Sequence, residues 1–585
     1  MSFDLVIKNG FVIDGTGVPS HIGDIGVKDG RIAQIGFVDE SGAGRVIDAT
    51  GKIVAPGIVD AHTHYDPQLT FDPYATSSCY HGVTTVLAGN CGFSMAPVRA
   101  EDRDYTTRMF AKVEGMDPVA LSGVQWEHES FPEWLARFDG GLGVNFATYI
   151  GHCALRRWVM GAEASEREAT PEEVDEMRAV IREAMAAGAA GFSSTAASTQ
   201  VDGDDRPVAS SLASKEELIA LCEETGRAAT GGASIAFLPR SAVGGLNADD
   251  EDLLIELGVA SRLPVVIQGL GGRSKVDAPV DWETTEEFLN RASAAGAAIY
   301  NLLRAQPFDR PFSFAGGTAL YGGVFAWQDW LSLPRDERRG ALDDPARRDA
   351  MRDAVENPNT DPDKGSTMPP PKWSATFVGQ VAKPENEKWL HRSIEEIATE
   401  MNKAPADAML DLAASEDLET VFRWNSETDE WADAVGQHLR NPHMIVGVSD
   451  GGAHLDRDDC SEWSTYFLSD WVRKRSVVSL EEGVRQMTSV PAAIIGLCDR
   501  GSLLPGYWAD IMIFDRDAVA ADFKGPVDDF PGGATRFSAR PKGIEYTIVN
   551  GQVIVEQGEL TDALPGRVAV PGATVSARSE TGGAA

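Results

Sequence analysis

The chain has 585 residues, 43% of them hydrophobic and 24% charged, with a formal net charge of −37. A chain of this length exceeds what one hydrophobic core usually spans, so we expect a large domain and a smaller one. The acidic balance argues against nucleic acid and anionic membranes as partners.

The first residues, MSFDLVIKNG, contain no basic segment before an apolar core, so no signal peptide is predicted. No apolar run approaches the roughly 18 residues that a transmembrane helix needs. The six cysteines form no disulfide or zinc-ribbon spacing. The expected location is therefore the cytoplasm.

Both ends of the chain have the pattern of short strands joined by tight turns. LVIKNGFVIDG and GDIGVKDGRIAQIG place Asn-Gly and Asp-Gly between alternating apolar residues, and ADIMIFD and YTIVNGQVIVEQG repeat this near the other end. The sequence predicts one small β-sandwich assembled from residues 1–52 and 500–560, followed by a tail at 561–585.

The middle of the chain, residues 53–499, alternates candidate strands with helices. Thr170-Pro171-Glu172-Glu173 has the form of a capping box, and Ser214 with Glu217 and Ser479 with Glu482 repeat it. The pattern predicts an α/β fold, a parallel (β/α)₈ TIM-like barrel with its reactive residues at the carboxyl ends of the strands. The predicted strands lead to His62, Cys91, His152, Thr195, Pro239, Gln268, Leu303 and Asp450.

A long insertion separates the seventh and eighth predicted strands, which lie about 140 residues apart, far more than a normal connection. Its segment at about 304–392 contains DPDKGSTMPPPKWSATF and many aromatic residues. We expect an insertion near the barrel mouth, either a lid over the mouth or a flexible decoration.

His62 and His64 follow the buried run from Ile53 to Asp60. Residues two apart on a strand point the same way, so both imidazoles can reach one point. Desolvating two polar rings there is costly unless a cation compensates. The pair therefore predicts half of a metal site.

Several motifs recur in a known order: PGIVDAHTHYD, LAGNCGFSMAP, GHCALRRWVMG, GVSDGGAH, TSVPAAIIGL and RGSLLPGYWADIMIFD. In these motifs the chain resembles the amidohydrolase superfamily, most of all its N-acyl-D-amino-acid deacylase (D-aminoacylase) branch, over residues 4 to about 566. The resemblance implies a barrel with a composite β-sandwich. It also implies a metal-dependent hydrolase that cleaves an amide C–N bond of an N-acyl amino acid or related small amide through metal-activated water.

The resemblance assigns roles to four residues. His62 and His64 match the ligands after the first strand, and Cys91 matches a metal-binding cysteine after the second. Asp450 matches the last-strand aspartate, which is the general base and in some members a ligand. Thiolate is a strong zinc ligand, and a carboxylate beside the reacting water can move its proton.

The chain also departs from the resemblance. D-aminoacylases carry a further His after the fifth strand and another after the sixth, where this chain has Pro239-Arg240 and Gln268-Gly269. No His lies between His152 and His391, and no Lys ends the fourth strand. We therefore predict one zinc ion, with iron and manganese as alternatives, held by His62, His64, Cys91 and Asp450.

Further residues are candidates for contact with the ligand shell or the substrate. His152 could reach the metal, bind a substrate carbonyl or orient Asp450, and His454 is expected to turn the chain. Gln268 could donate to a substrate carbonyl. An arginine near the mouth could clamp a substrate carboxylate or form a rim salt bridge, and the candidates are Arg240, Arg273 and Arg304.

Two other functions remain open at this stage. The same metal site could act on a cyclic amide, an ester or a carbonyl-activated C–C bond. A degenerate barrel could also serve as a non-catalytic binding protein. The expected partner is a small molecule, one that could bear a carboxylate, and the sandwich edges and tail could join copies into a homo-oligomer.

Overall fold

The structure is a computed structural model that describes residues 2–197, 200–242, 246–268, 282–359, 370–455, 460–522 and 524–573. It divides into two compact units. The larger contains Met1–Gln306 and Glu430–Ala585, and the smaller is Pro307–Asp429. No helix within the described ranges is long and apolar enough to cross a membrane.

Parallel strands of the larger unit form a closed barrel. Each pairs with its neighbours in chain order, and a parallel bridge between Thr63 and Gly451 joins the last strand to the first. The strands are Ile58–Asp60, Val83–Ala88, Asn145–Thr148 continued by Ile150–Gly151, Gly191–Thr195, Ser234–Leu238, Val265–Gln268, Ile299–Leu303 and Met444–Val446. This confirms the predicted (β/α)₈ fold class.

Helices of the larger unit follow or flank these strands. They are Arg103–Val113, Pro118–Leu121, Phe131–Ala136, His152–Met160, Pro171–Ala187, Lys215–Ala228, Ala248–Ser261, Trp282–Ala294, Asp429–His438, Trp463–Phe467, Leu480–Met487 and Ser489–Ile495. The first residue of the helix Asp429–His438 is the last residue of the smaller unit.

The predicted capping boxes form to different extents. Thr170 and Glu173 make the complete box, and Gly188 ends that helix in the left-handed conformation (φ 112°). The Ser214 side chain caps its helix by accepting from the Glu217 N–H. The Glu217 carboxylate does not return the bond, because it contacts His152 and Arg156 instead.

A second sheet of the larger unit combines both ends of the chain, and it includes Ile53–Pro56, which was predicted to belong to the first barrel strand. Its centre is Leu5–Val12, which pairs with His21–Lys28 on one side and Ile53–Pro56 on the other. Ile53–Pro56 in turn pairs antiparallel with Ile511–Phe514 and so joins the two ends. The remaining strands of this sheet are Arg31–Gly36, Arg45–Asp48, Ile544–Val549, Gln552–Glu556 and Glu559–Leu560.

Short pieces complete the larger unit. Two small hairpins pair Ala520–Ala521 with Pro541–Lys542 and Gly525–Val527 with Arg536–Ser538. Part of the predicted tail returns to the barrel, where Phe146 exchanges backbone hydrogen bonds with Arg567 and Ala569.

The smaller unit, Pro307–Asp429, has its own core, in which Phe312, Trp327, Trp330 and Phe422 are buried. Its strands are Asp309–Phe312, Thr376–Gln380 and Val421–Asn425, and its helices are Phe325–Leu331, Arg335–Ala341, Pro345–Glu356, Ile394–Met401 and Pro405–Ser415. The unit extends beyond the predicted 304–392 insertion, because its last strand pairs antiparallel with its first.

Candidate metal centre

The segment after the first barrel strand carries His62 and His64. Thr63 between them points the other way and bonds Leu87 O through both its backbone N–H (3.0 Å) and its hydroxyl (2.9 Å). The His64 N–H donates to Gly451 O at 2.7 Å. The segment is thus pinned between the second and eighth strands, and both imidazoles face one buried point.

Cys91 lies in a tight turn after the second strand. The Asn90 side chain donates to Leu87 O at 2.8 Å and Thr63 O at 3.2 Å. The Ser193 hydroxyl donates to Gly89 O and accepts from Gly92 N–H at 3.0 Å. Gly89 has φ 72°, and a Cβ there would collide with the Tyr149 carbonyl oxygen. These contacts hold Cys91 itself at φ 54°.

Asp450 follows the eighth strand and also has a left-handed backbone, with φ 49°. Its Oδ1 lies 3.4 Å from His62 Nε2 and 4.0 Å from His64 Nε2. The Asp450 side chain is 21% exposed, whereas those of His62 and His64 are 4% and 2% exposed. Asp450 is therefore the most exposed of these three side chains.

The donor atoms of His62, His64 and Cys91 all lie within 4.8 Å of one another. Cys91 Sγ is 3.6 Å from His62 Nε2. Two tetrahedral ligands with Zn–S and Zn–N bonds of about 2.3 and 2.0 Å would be about 3.5 Å apart. The donor set therefore fits a divalent cation.

Burial sets the protonation of these donors. It lowers the pKa of both His62 and His64 to about 3, so each imidazole is neutral and able to coordinate. Burial, then the charges of Glu114 and Asp450, raises the pKa of the Cys91 thiol well above its usual value. A thiolate at this position therefore requires a cation beside it.

His152 does not belong to this donor cluster. Its Nδ1 contacts Ser194 Oγ at 2.8 Å and its Nε2 contacts Glu217 Oε1 at 2.9 Å, and Arg156 shares that carboxylate. Both ring nitrogens are used in a buried network. The geometry does not support the roles predicted for His152 at the metal or on Asp450.

The other residues that were predicted to contact the ligands or the substrate lie in different surroundings. Gln268 Nε2 lies 2.7 Å from His62 Nε2, at the donor cluster. Arg240 is exposed just after the fifth strand. Arg304 is half-buried and donates to Cys460 Sγ at 2.7 Å. Arg273 lies outside the described residues.

Sequence reasoning missed two acidic side chains near the donors. Glu114 Oε1 lies 3.4 Å from His64 Nδ1, with its side chain 4% exposed. Asp60 accepts from Trp463 Nε1 at 3.1 Å, and burial raises its pKa to about 7. Neither residue has a spacing that distinguishes it among the chain's 89 acidic residues.

Comparison with known proteins gives one family over most of the chain. The model of an amidohydrolase family matches residues 45–332 and 375–555. The D-aminoacylase of Alcaligenes xylosoxydans xylosoxydans is 29% identical, with 97% of each chain covered. The N-acyl-D-aspartate deacylase of the same organism is 28% identical, covering 97% of this chain and 95% of the relative.

Two solved structures of D-aminoacylases are also similar to this chain. A D-aminoacylase that is described as defining a novel subset of amidohydrolases has a TM-score of 0.61 at 26% identity, covering 97% of this chain and 99% of its own. A D-aminoacylase with a binuclear metal centre, described by one-metal activation and second-metal attenuation, has a TM-score of 0.60 at 26% identity over the same shares.

Proposed function

The chain belongs to the amidohydrolase family and is a metal-dependent hydrolase of amide C–N bonds, and we propose that it deacylates N-acyl-D-amino acids with a single divalent cation. The observation that carries the proposal is the convergence of His62, His64 and Cys91 within 4.8 Å at the carboxyl ends of two barrel strands. The proposed substrate class is that of the two relatives matched over nearly the whole chain, a D-aminoacylase and an N-acyl-D-aspartate deacylase.

We further propose that the centre holds a single ion, preferably zinc. His62, His64, Cys91 and Asp450 would hold it. The fifth strand is followed by Pro239 and Arg240, which offer no metal-binding side chain. Within the described ranges, one group of three or more His, Cys, Asp or Glu donors meets the spacing for an ion. This supports a mononuclear site here, in contrast to the binuclear D-aminoacylase.

The proposed reaction depends on Asp450. A bound divalent cation supplies Lewis acidity, which polarises the amide carbonyl and lowers the pKa of water at the site to about 7. Asp450 accepts a proton from the attacking water as the carbon–oxygen bond forms. Asp450 then gives that proton to the nitrogen as the C–N bond breaks, releasing a carboxylic acid and an amine.

Substrate recognition is proposed to involve a carboxylate on the amino acid. Arg240 is exposed at the carboxyl end of the fifth strand, the position from which a guanidinium can clamp a carboxylate bidentately. Arg304 is the less available of the two, because it is half-buried against Cys460.

Metal analysis tests the centre directly. We expect about one equivalent of metal in the wild type and a clear loss in Cys91→Ala, because a thiolate ligand is removed. Cys222→Ala is the matched control, since Cys222 is also buried and lies outside the cluster. Two equivalents would contradict the single ion, and none would contradict the metal centre.

A substrate panel tests the reaction. We expect hydrolysis of N-acyl-D-amino acids by the metal-loaded protein, with little turnover of the L-enantiomers. Cyclic amides, esters and substrates with activated C–C bonds serve as comparisons, and preference for any of them would contradict the proposed substrate class.

A further inference from the structure

Glu114 occupies an unfavourable place for a carboxylate. It follows the last residue of the helix Arg103–Val113, where the helix dipole is negative. Its side chain is also almost fully buried, and burying a charge is costly unless a partner compensates. An apolar side chain would fill this space without the cost of burying a charge. A carboxylate at this position therefore indicates a specific interaction.

One partner in reach is the imidazole of His64. Glu114 Oε1 lies 3.4 Å from His64 Nδ1, while His64 Nε2 faces Asp450. An imidazole that binds a metal through Nε2 carries its proton on Nδ1 and commonly donates it to a carboxylate. We propose that Glu114 is a positioning residue of the metal centre, accepting the Nδ1 proton of His64 so that Nε2 is presented to the ion.

The backbone around Glu114 links the same elements independently of its side chain. The Glu114 carbonyl accepts from His454 N–H at 2.5 Å, and Gly451 O accepts from His64 N–H at 2.7 Å. The segment that carries Asp450 is thus held at two points by main-chain bonds. Changing the Glu114 side chain leaves both bonds in place, so a variant tests the carboxylate alone.

A second buried glutamate in the chain provides a comparison. Glu217 contacts His152 Nε2 at 2.9 Å, but His152 lies outside the donor cluster and Glu217 also pairs with Arg156. Both glutamates are buried against a histidine, and the difference is whether that histidine is a proposed ligand. Loss of Glu217 should therefore affect folding stability rather than metal binding.

The inference rests on the proposed metal centre, and the experiment separates the two. Co²⁺ dissociation constants, by competition with a chelator, and the visible Co²⁺ spectrum are measured for wild type, Glu114→Gln, Glu114→Ala and Glu217→Gln. We expect Glu114→Ala to weaken Co²⁺ binding about 10- to 100-fold and to shift the spectrum. Glu114→Gln, which keeps an acceptor oxygen, should fall between it and the wild type.

Thermal melts of the metal-free proteins accompany these measurements. We expect Glu217→Gln to lower the melting temperature while its Co²⁺ affinity stays within about threefold of wild type. Wild-type affinity and spectrum in Glu114→Ala would overturn the inference and leave the metal centre intact. Equal loss of affinity in Glu217→Gln would also overturn it. A wild type that binds no Co²⁺ would overturn the proposed function, and this inference with it.

Discussion

Cys91 and Asp450 share a backbone conformation that side chains other than glycine adopt at a cost. Their φ angles are 54° and 49°. Left-handed residues with a Cβ cost roughly 1–2 kcal/mol and persist where the surroundings over-determine them. For Cys91 the surroundings are Asn90 and Ser193, which bond the turn from both sides. For Asp450 they include Ser449, which bonds His62 O and Gly451 N–H.

Exchange of the Asp450 carboxylate for an amide should separate metal binding from catalytic turnover. Asp450→Asn keeps the shape and a potential oxygen donor but loses the proton acceptor. We expect the variant to retain its metal while kcat/KM falls roughly 10²- to 10⁴-fold. Asp417→Asn is the matched control, because Asp417 has the same left-handed backbone (φ 54°) and is exposed in the smaller unit. Full activity in Asp450→Asn would contradict its role as general base.

Contacts between short elements of the larger unit depend on a buried histidine outside the metal centre. His81 ends the helical turn Ser78–His81 and contacts Thr465 Oγ1 and Ala539 O, each at 2.9 Å. Burial lowers its pKa to about 4, the bond to Ala539 partly opposes this, and the charged neighbours are Glu462, Arg540 and Lys524. Neutral His81 is therefore a structural link between elements.

This link makes stability depend on pH. Because the pKa of His81 is lower in the folded state than its ordinary 6.5, the unfolded chain binds the proton more strongly between these values. The stability that neutral His81 supplies is complete above about pH 6.5 and is lost as pH falls toward 4. In urea unfolding from pH 7.5 to 4.5, the wild-type midpoint should fall more steeply than that of His81→Gln.

The control for this titration is His21→Gln, since His21 is exposed at the start of a sandwich strand. Its midpoints should follow the wild type at every pH. Parallel curves for wild type and His81→Gln would contradict the assigned contribution of His81.

At the scale of the whole molecule, the chain contains a segment with the features of an independent domain. Asp309 pairs with Asn425, so the two ends of the smaller unit are neighbours. We expect residues 307–429 expressed alone to unfold cooperatively and to give a near-ultraviolet circular dichroism signal, because Tyr321 and Trp327 stack at 4.2 Å. A non-cooperative melt without that signal would contradict an autonomous fold.

A pair of variants sharpens the test of this fragment. Trp330→Ala removes a fully buried side chain and should destabilise the fragment by about 3–5 kcal/mol. Phe325→Ala removes a ring that is 41% exposed on the same helix and should have a much smaller effect.

Local patterns in the sequence were sufficient for the barrel, the composite sheet and the two histidine donors. Strand periodicity, the Pro-Gly turn before the first strand and the His62-x-His64 spacing are short-range signals, and the ends of parallel strands meet at one edge. The resemblance added Cys91 and Asp450, which the structure brings beside the two histidines. Their roles as ligands and base stay predictions until they are measured.

Only the tertiary structure decided the partners of these residues. Glu114 reaches His64, and Glu217 takes up His152, across intervals of 50 and 65 residues that carry no periodic signal. The end of the smaller unit at Asp429 depends on a strand that pairs with the first strand of that unit. The physical reason is the same in each case: strands and turns follow from neighbours along the chain, whereas contacts of buried polar groups follow from how those elements pack.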